Sequence, residues 1–173
     1  LTASILRRVA HKSYLPANEL LLKLIHKHKS NFKVAFSLSG LVLEQFERFC
    51  PEVLESFKKL VNTGCVEILS ESYYHSLAFF YSKSEFAKQI LIHKKKIKEI
   101  FGVNPKTFRY TELIYNNNIA KEIEDMGYSV ILAEGADQLL GWRSPNFVYV
   151  PSSCYKLKLL LKNYRLSDDI AFR

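Results

Sequence analysis

The sequence predicts an α/β domain built on a parallel sheet or barrel, and three observations carry that prediction. Stretches with apolar residues at helical spacing alternate with short stretches of period two, the pattern of βα units whose right-handed crossovers require parallel pairing. The 173 residues are 48% hydrophobic and 24% charged, the make-up of a globular domain that buries a core without disulfides. Polar residues gather just past each predicted strand, where parallel α/β folds place their sites.

Taken in order, Leu20, Leu21, Leu24, Ile25 and His28 fall on one helical face after Pro16, and residues 31–36 then switch to a period of two. Val42, Leu43, Phe46 and Phe49 restart the helical spacing. Pro51 suits a first helical turn, and Val53, Leu54, Phe57, Leu60 and Val61 continue to Gly64, a C-terminal stop. Residues 65–69 are the next strand. Ser82-Lys83-Ser84-Glu85 matches a capping box, and Phe86, Ile90, His93, Ile97 and Ile100 run at helical spacing to Gly102. Residues 107–110 read as a strand and 118–126 as a helix stopped by Gly127. Residues 129–133 form an unbroken apolar strand expected to be buried on both faces. The 141–146 stretch reads as a surface loop, and 156–164 as a strand, since Leu157, Leu159 and Leu161 alternate.

Charge excludes little by itself. Lys plus Arg number 25 against 17 Asp plus Glu, but the excess is net positive over 1–33, 94–109 and 143–173 and net negative between them. No concentrated basic face results, and the Lys94-Lys95-Lys96 run lies on a helix, as a solvated face would. A nucleic-acid partner is therefore not expected. The three cysteines include no CxxC pair, which argues against a disulfide framework or a structural zinc site and for a reducing cytosol. No apolar run approaches the ~20 residues of a membrane helix, so no membrane partner is expected either.

Past the successive strands stand Ser37 and Ser39; Ser70, Glu71, Tyr73 and His75; Thr111 and Glu112; Glu134; and Ser167, Asp168 and Asp169. Several carboxylates, one histidine and no serine or cysteine with a visible partner point to acid-base and carboxylate-nucleophile chemistry, as in glycosyl transfer. Solvated turn residues are the alternative reading of the same positions.

Three segments sharpen this. Gly64-Cys65-Val66-Glu67-Ile68-Leu69, Phe108-Arg109-Tyr110-Thr111-Glu112-Leu113-Ile114-Tyr115 and Leu166-Ser167-Asp168-Asp169-Ile170-Ala171-Phe172-Arg173 resemble, in order, three of the five sequence regions of the glycoside hydrolase family 57 α-amylases. Tyr14-Leu15-Pro16-Ala17-Asn18 and the 141–149 stretch also read like that family, so the similarity covers essentially the whole chain.

The resemblance implies an incomplete (β/α)7 TIM-like barrel, here with about five parallel strands, and retaining chemistry on α-glucans without a cofactor or metal. It implies Glu112 as nucleophile and Asp168, four residues before Phe172, as acid/base, with Asp169 the fallback. His75 resembles a histidine near the sugar site, and Glu71, Trp142 and Asp169 are expected to face substrate. Glu67, Tyr110 and Thr111 are expected behind the carboxylates, with Tyr110 standing where the family has a small polar residue. The His-Gln-Pro strand end and the late acidic pair of the family are absent. Residues 1–173 are therefore expected to be part of a longer catalytic domain and inactive when isolated. Transglycosylation or branching by the same carboxylates, a non-catalytic carbohydrate-binding fragment, and a metal-dependent deacetylase are the competing readings. The deacetylase would need paired histidines, but His26 and His28 share a helix away from the strand ends.

Overall fold

Pro16 has no N–H to donate and its ring crowds the preceding turn, so a regular α-helix does not run through it undisturbed. In the computed structural model, which describes residues 3–173, helix α1 (Ala3–Val9) widens into a π-turn at Ala10–Tyr14 and continues as α2 (Leu15–His28), with the proline in its first turn. The helical run therefore begins well before residue 20, because Leu6 and Ala10 are drawn into the same core as Ile25.

Strand β1 (Val34–Ser37) is followed by α3 (Gly40–Phe49), whose first turn is capped by Ser39 accepting from the Val42 N–H at 3.3 Å. The chain breaks at Cys50 and re-enters α4 (Pro51–Val61), then β2 (Val66–Leu69). Helix α5 (Lys83–Phe101) starts at Ser82, which accepts from the Glu85 N–H at 3.2 Å, and stops at Gly102 with φ 73°. Only half of the predicted capping box forms, since Glu85 turns to Gln89 at 3.0 Å. The remaining elements are β3 (Thr107–Arg109), α6 (Asn117–Asp125), β4 (Val130–Glu134), α7 (Asp137–Leu140), β5 (Val148–Tyr149), β6 (Lys158–Lys162) and α8 (Tyr164–Phe172).

The strands run in the order β1-β2 and β3-β4-β6-β5, and Ser70 joins the two groups. Its N–H donates to the Thr107 carbonyl at 2.9 Å and its carbonyl accepts from the Arg109 N–H at 2.8 Å. β1, β2, β3, β4 and β6 are parallel, as the βα alternation requires. β5 is antiparallel to β6 and was not legible, because two residues show no period. It falls just after the stretch read as loop.

Both cores lie on the side of the sheet that carries the helices. One packs α1 to α4 against β1 and β2 around Phe46, Phe57 and Leu60; the other packs α5 and α6 against β3, β4 and β6 around Phe86, Phe108 and Ile131. The expectation that β4 is buried on both faces is corrected here. Ile131 and Ala133 are buried, but Val130 and Leu132 are only half-buried, because Leu132 and its side of the strand face a cavity. That cavity, of about 370 Å³ on the concave side, is also lined by Leu69, Arg109 and Leu160.

Gly40 holds the helix α3 entrance against the loop after β2. A Cβ at this position would overlap the ring of Tyr73, which is itself buried and donates its hydroxyl hydrogen bond to Glu44. Gly40→Ala is expected to destabilise the protein by about 1–3 kcal/mol, the range for overpacking a filled core. Chemical denaturation checks this, and an unchanged midpoint would show that Tyr73 moves aside freely.

Candidate active site

Period-two alternation in β3 sends Phe108 and Tyr110 outward and Arg109 inward. Phe108 and Tyr110 are fully buried against Phe86, while the half-buried Arg109 reaches the cavity side. Immediately beyond, the chain turns sharply: Glu112 has φ 54° and ψ 22°, and Leu113 also has positive φ. The turn is fixed from behind by Thr111, whose hydroxyl donates to the Ser76 carbonyl at 2.9 Å and lies 3.2 Å from Ser72 Oγ. Ser72 Oγ in turn accepts from the Ser76 N–H at 3.0 Å. The loop after β2 and the turn after β3 are therefore one hydrogen-bonded unit.

That unit brings Glu71, His75 and Glu112 into a row. Glu71 Oε2 lies 3.1 Å from His75 Nδ1, and His75 Nε2 lies 3.3 Å from Glu112 Oε1. Arg109 Nη1 is 4.0 Å from the same Glu71 oxygen. The row grades from interior to solvent: the Glu71 side chain is 3% exposed and that of Glu112 is 75% exposed. A cavity of about 370 Å³ beside the row is walled by Tyr14, Asn18 and Phe36 opposite Glu71, His75 and Arg109. It shares Ser37 and Arg109 with the cavity on the concave face.

His93 on α5 lies beneath this loop and is completely buried. Its Nε2 donates to the Leu38 carbonyl at 2.8 Å and its Nδ1 accepts from the Glu71 N–H at 3.3 Å, so it ties together the chain segments leaving β1 and β2. Burial holds this imidazole below its ordinary value, against the opposing influence of the Leu38 bond and of Glu71.

The structure separates several residues that sequence reading grouped. Tyr110 does not stand behind Glu112; its ring is in the core and its hydroxyl accepts from the Phe79 N–H at 3.1 Å. Glu67 is exposed near the start of β2, at the end of the strand remote from Glu71, with Lys33, Gly64 and Cys65 around it. Trp142 is 94% exposed in the turn after α7. Asp168 and Asp169 lie on α8 and not in a loop, because Asn163 caps that helix by accepting from the Leu166 N–H at 3.2 Å. Both are exposed, and Asp169 pairs with Arg173 at 3.0 Å. Like Glu112, they follow the C-terminal end of a parallel strand. Ser39 and Ser70 serve the fold, as a helix cap and as a partner of the buried Tyr128 hydroxyl at 2.7 Å. Among the described residues no three His, Cys, Asp or Glu side chains form a group able to hold a metal, and no helix is long and apolar enough to cross a membrane.

Residues 1–173 match, end to end, the sequence pattern of glycosyl hydrolase family 57. The chain belongs to that family. It is 49% identical to a Methanocaldococcus jannaschii protein named "Putative alpha-amylase", over 100% of this chain and 36% of that protein. The alpha-amylase of Pyrococcus abyssi is 26% identical over 75% of this chain and 19% of its own length. The chain therefore spans about a third or less of the length of these relatives. Its fold follows that of 4-alpha-glucanotransferase from Thermococcus litoralis, with a TM-score of 0.83 at 20% identity, over 100% of this chain and 27% of that one. The six strands of the described residues are thus part of a TIM-like α/β architecture.

Within this family 57 chain, sequence reading overlooked Arg109 and His93. A charged residue between two aromatics in a strand was the available signal for Arg109. His93 was hidden by its own register, since it occupies an apolar-face position of α5 between Ile90 and Ile97.

Proposed function

We propose that the protein carrying this chain is a retaining glycoside hydrolase of α-amylase type acting on α-glucans, with Glu112 as nucleophile and Asp168 as acid/base. The observation that carries the reading is the presentation of Glu112. It is an exposed carboxylate at the C-terminal end of a parallel strand, thrust out by a left-handed backbone turn, with an imidazole at one of its oxygens. Family membership and the name of the 49% identical relative support the substrate class.

In this reading the Glu112 carboxylate attacks the anomeric carbon while the bond to the departing sugar breaks and Asp168 gives its proton to the departing oxygen. A glycosyl ester on Glu112 results. Asp168, now a carboxylate, takes a proton from water as that water attacks the same carbon, and Glu112 leaves as carboxylate. Two displacements return the original configuration, and the mechanism calls for the carboxyl groups ~5–5.5 Å apart. Transfer to another glucan differs only in the acceptor.

The test is to treat the whole gene product with an activated α-glucosyl fluoride whose ring fluorine slows the second step, then map the modified peptide by mass spectrometry. A hexosyl adduct on Glu112, and α-configured first products from an unmodified maltooligosaccharide, are expected. An adduct on another carboxylate, or β-configured first products, would remove the assignment.

A further inference from the structure

We propose that Glu71 and His75 are positioning residues for Glu112: the buried Glu71 carboxylate holds the His75 ring, and that ring holds the exposed Glu112 carboxylate through its other nitrogen. The proposal rests on the reading of Glu112 as nucleophile and replaces the expectation that Glu71 and His75 contact sugar.

Four observations on different atoms lead to it. The first is burial. With 3% of its side chain exposed, Glu71 offers a ligand little surface although it borders the cavity, and a buried carboxylate needs partners. The partners present are His75 at 3.1 Å and Arg109 at 4.0 Å. The second is hydrogen-bond chemistry. An ionised carboxylate only accepts, so Glu71 takes its bond from Nδ1–H and an ionised Glu112 takes its bond from Nε2–H. The row closes on both sides when both ring nitrogens carry protons.

The third is backbone cost. His75 and Glu112 have φ of 53° and 54°, a region that costs a non-glycine residue roughly 1–2 kcal/mol. Two strained residues that face each other across 37 positions of sequence are held there by the Thr111 to Ser76 bond and not by any turn propensity of their own. The fourth is exposure. At 75% exposed, Glu112 has no packing to select its rotamer, and the His75 bond is the one described contact that does. That bond survives formation of a glycosyl ester, whose carbonyl oxygen still accepts from Nε2–H.

The charged and titratable groups around the His75 ring are Glu71 on its own loop, Arg109 and Glu112 from β3 and the turn after it, and Tyr14 from the helical segment across the cavity. Replacing Glu71 by its amide leaves the ring without a charged acceptor behind it, so the ring holds Glu112 less firmly.

The experiment measures kcat and KM separately for maltooligosaccharide hydrolysis by the whole gene product and by Glu71→Gln and His75→Gln. In both, kcat is expected to fall about 10- to 100-fold while KM stays within about twofold. His75→Gln changes a part-exposed side chain, so it reports even if Glu71→Gln does not fold. A raised KM with kcat unchanged would mean that these residues contact sugar and would overturn the proposal. Failure of the adduct to form on Glu112 in the unmodified protein is a separate readout and would defeat the underlying reading instead.

Discussion

Glu112→Gln is expected to reduce glucan hydrolysis by about 10⁴-fold, because an amide does not attack the anomeric carbon and no glycosyl ester forms. Asp168→Asn is expected to lose about 10²- to 10⁴-fold through the missing proton donor and base. Azide separates the two roles. It needs no base to attack a glycosyl ester, so it should restore turnover to the aspartate variant and, as the second of two inverting displacements, give the α-glycosyl azide. The glutamate variant, with no ester to attack, should not yield that product. The proposed nucleophile lies in the turn after β3 and the proposed acid/base on α8. Product analysis by NMR with and without azide checks it, and the opposite pattern would mean that the roles of the two residues are exchanged.

His93→Ala is expected to cost about 3–5 kcal/mol of stability, a large effect for a residue outside the row of Glu71, His75 and Glu112. The substitution leaves the Glu71 N–H and the Leu38 carbonyl without their partner and opens a cavity under α5. The same residue sets a pH dependence. Its folded-state value is lowered by burial, whereas in the unfolded chain it titrates near ~6.5. Below that pH the unfolded chain binds a proton that the folded protein refuses, so stability falls as pH drops from 7 toward 5 and recovers as pH rises. The slope from one such group is at most about 1.4 kcal/mol per pH unit. His93→Gln, which neither gains nor loses that proton, should be flatter over this window. Denaturation midpoints at pH 5, 6 and 7 measure both effects, and equal slopes in the two proteins would show that His93 is protonated in the folded state.

The consequence for the candidate site is that its two histidines stand in different hydrogen-bond surroundings. His93 acts as a neutral ring with one donor and one acceptor, and protonating Nδ1 would turn its acceptor toward the Glu71 N–H into a second donor. His75 sits between two carboxylates instead.

The sequence by itself determined the alternation of helices and parallel strands, because hydrophobic period is a local property that survives without neighbours. The stops at Gly64 and Gly102 and the start at Ser82 were legible for the same reason: each is a short-range backbone requirement met by one residue type. The strand-end position of Glu112 followed from those boundaries. Tertiary structure decided which polar residues meet. Glu67 and Glu71 are near neighbours in sequence, yet one is exposed near the start of β2 and the other is buried beyond its end. Arg109 and Tyr110 are adjacent, yet the pleat sends one to the cavity and the other into the core. The β5 edge and the placement of Asp168 on a helix depended on pairing to β6 and on the Asn163 cap. The joining of His75 to Glu112 needed β2 and β3 to be linked through Ser70, an interaction between segments distant in the chain. Local periodicity carries no term for such contacts, which exist only after the sheet has brought the strand ends together.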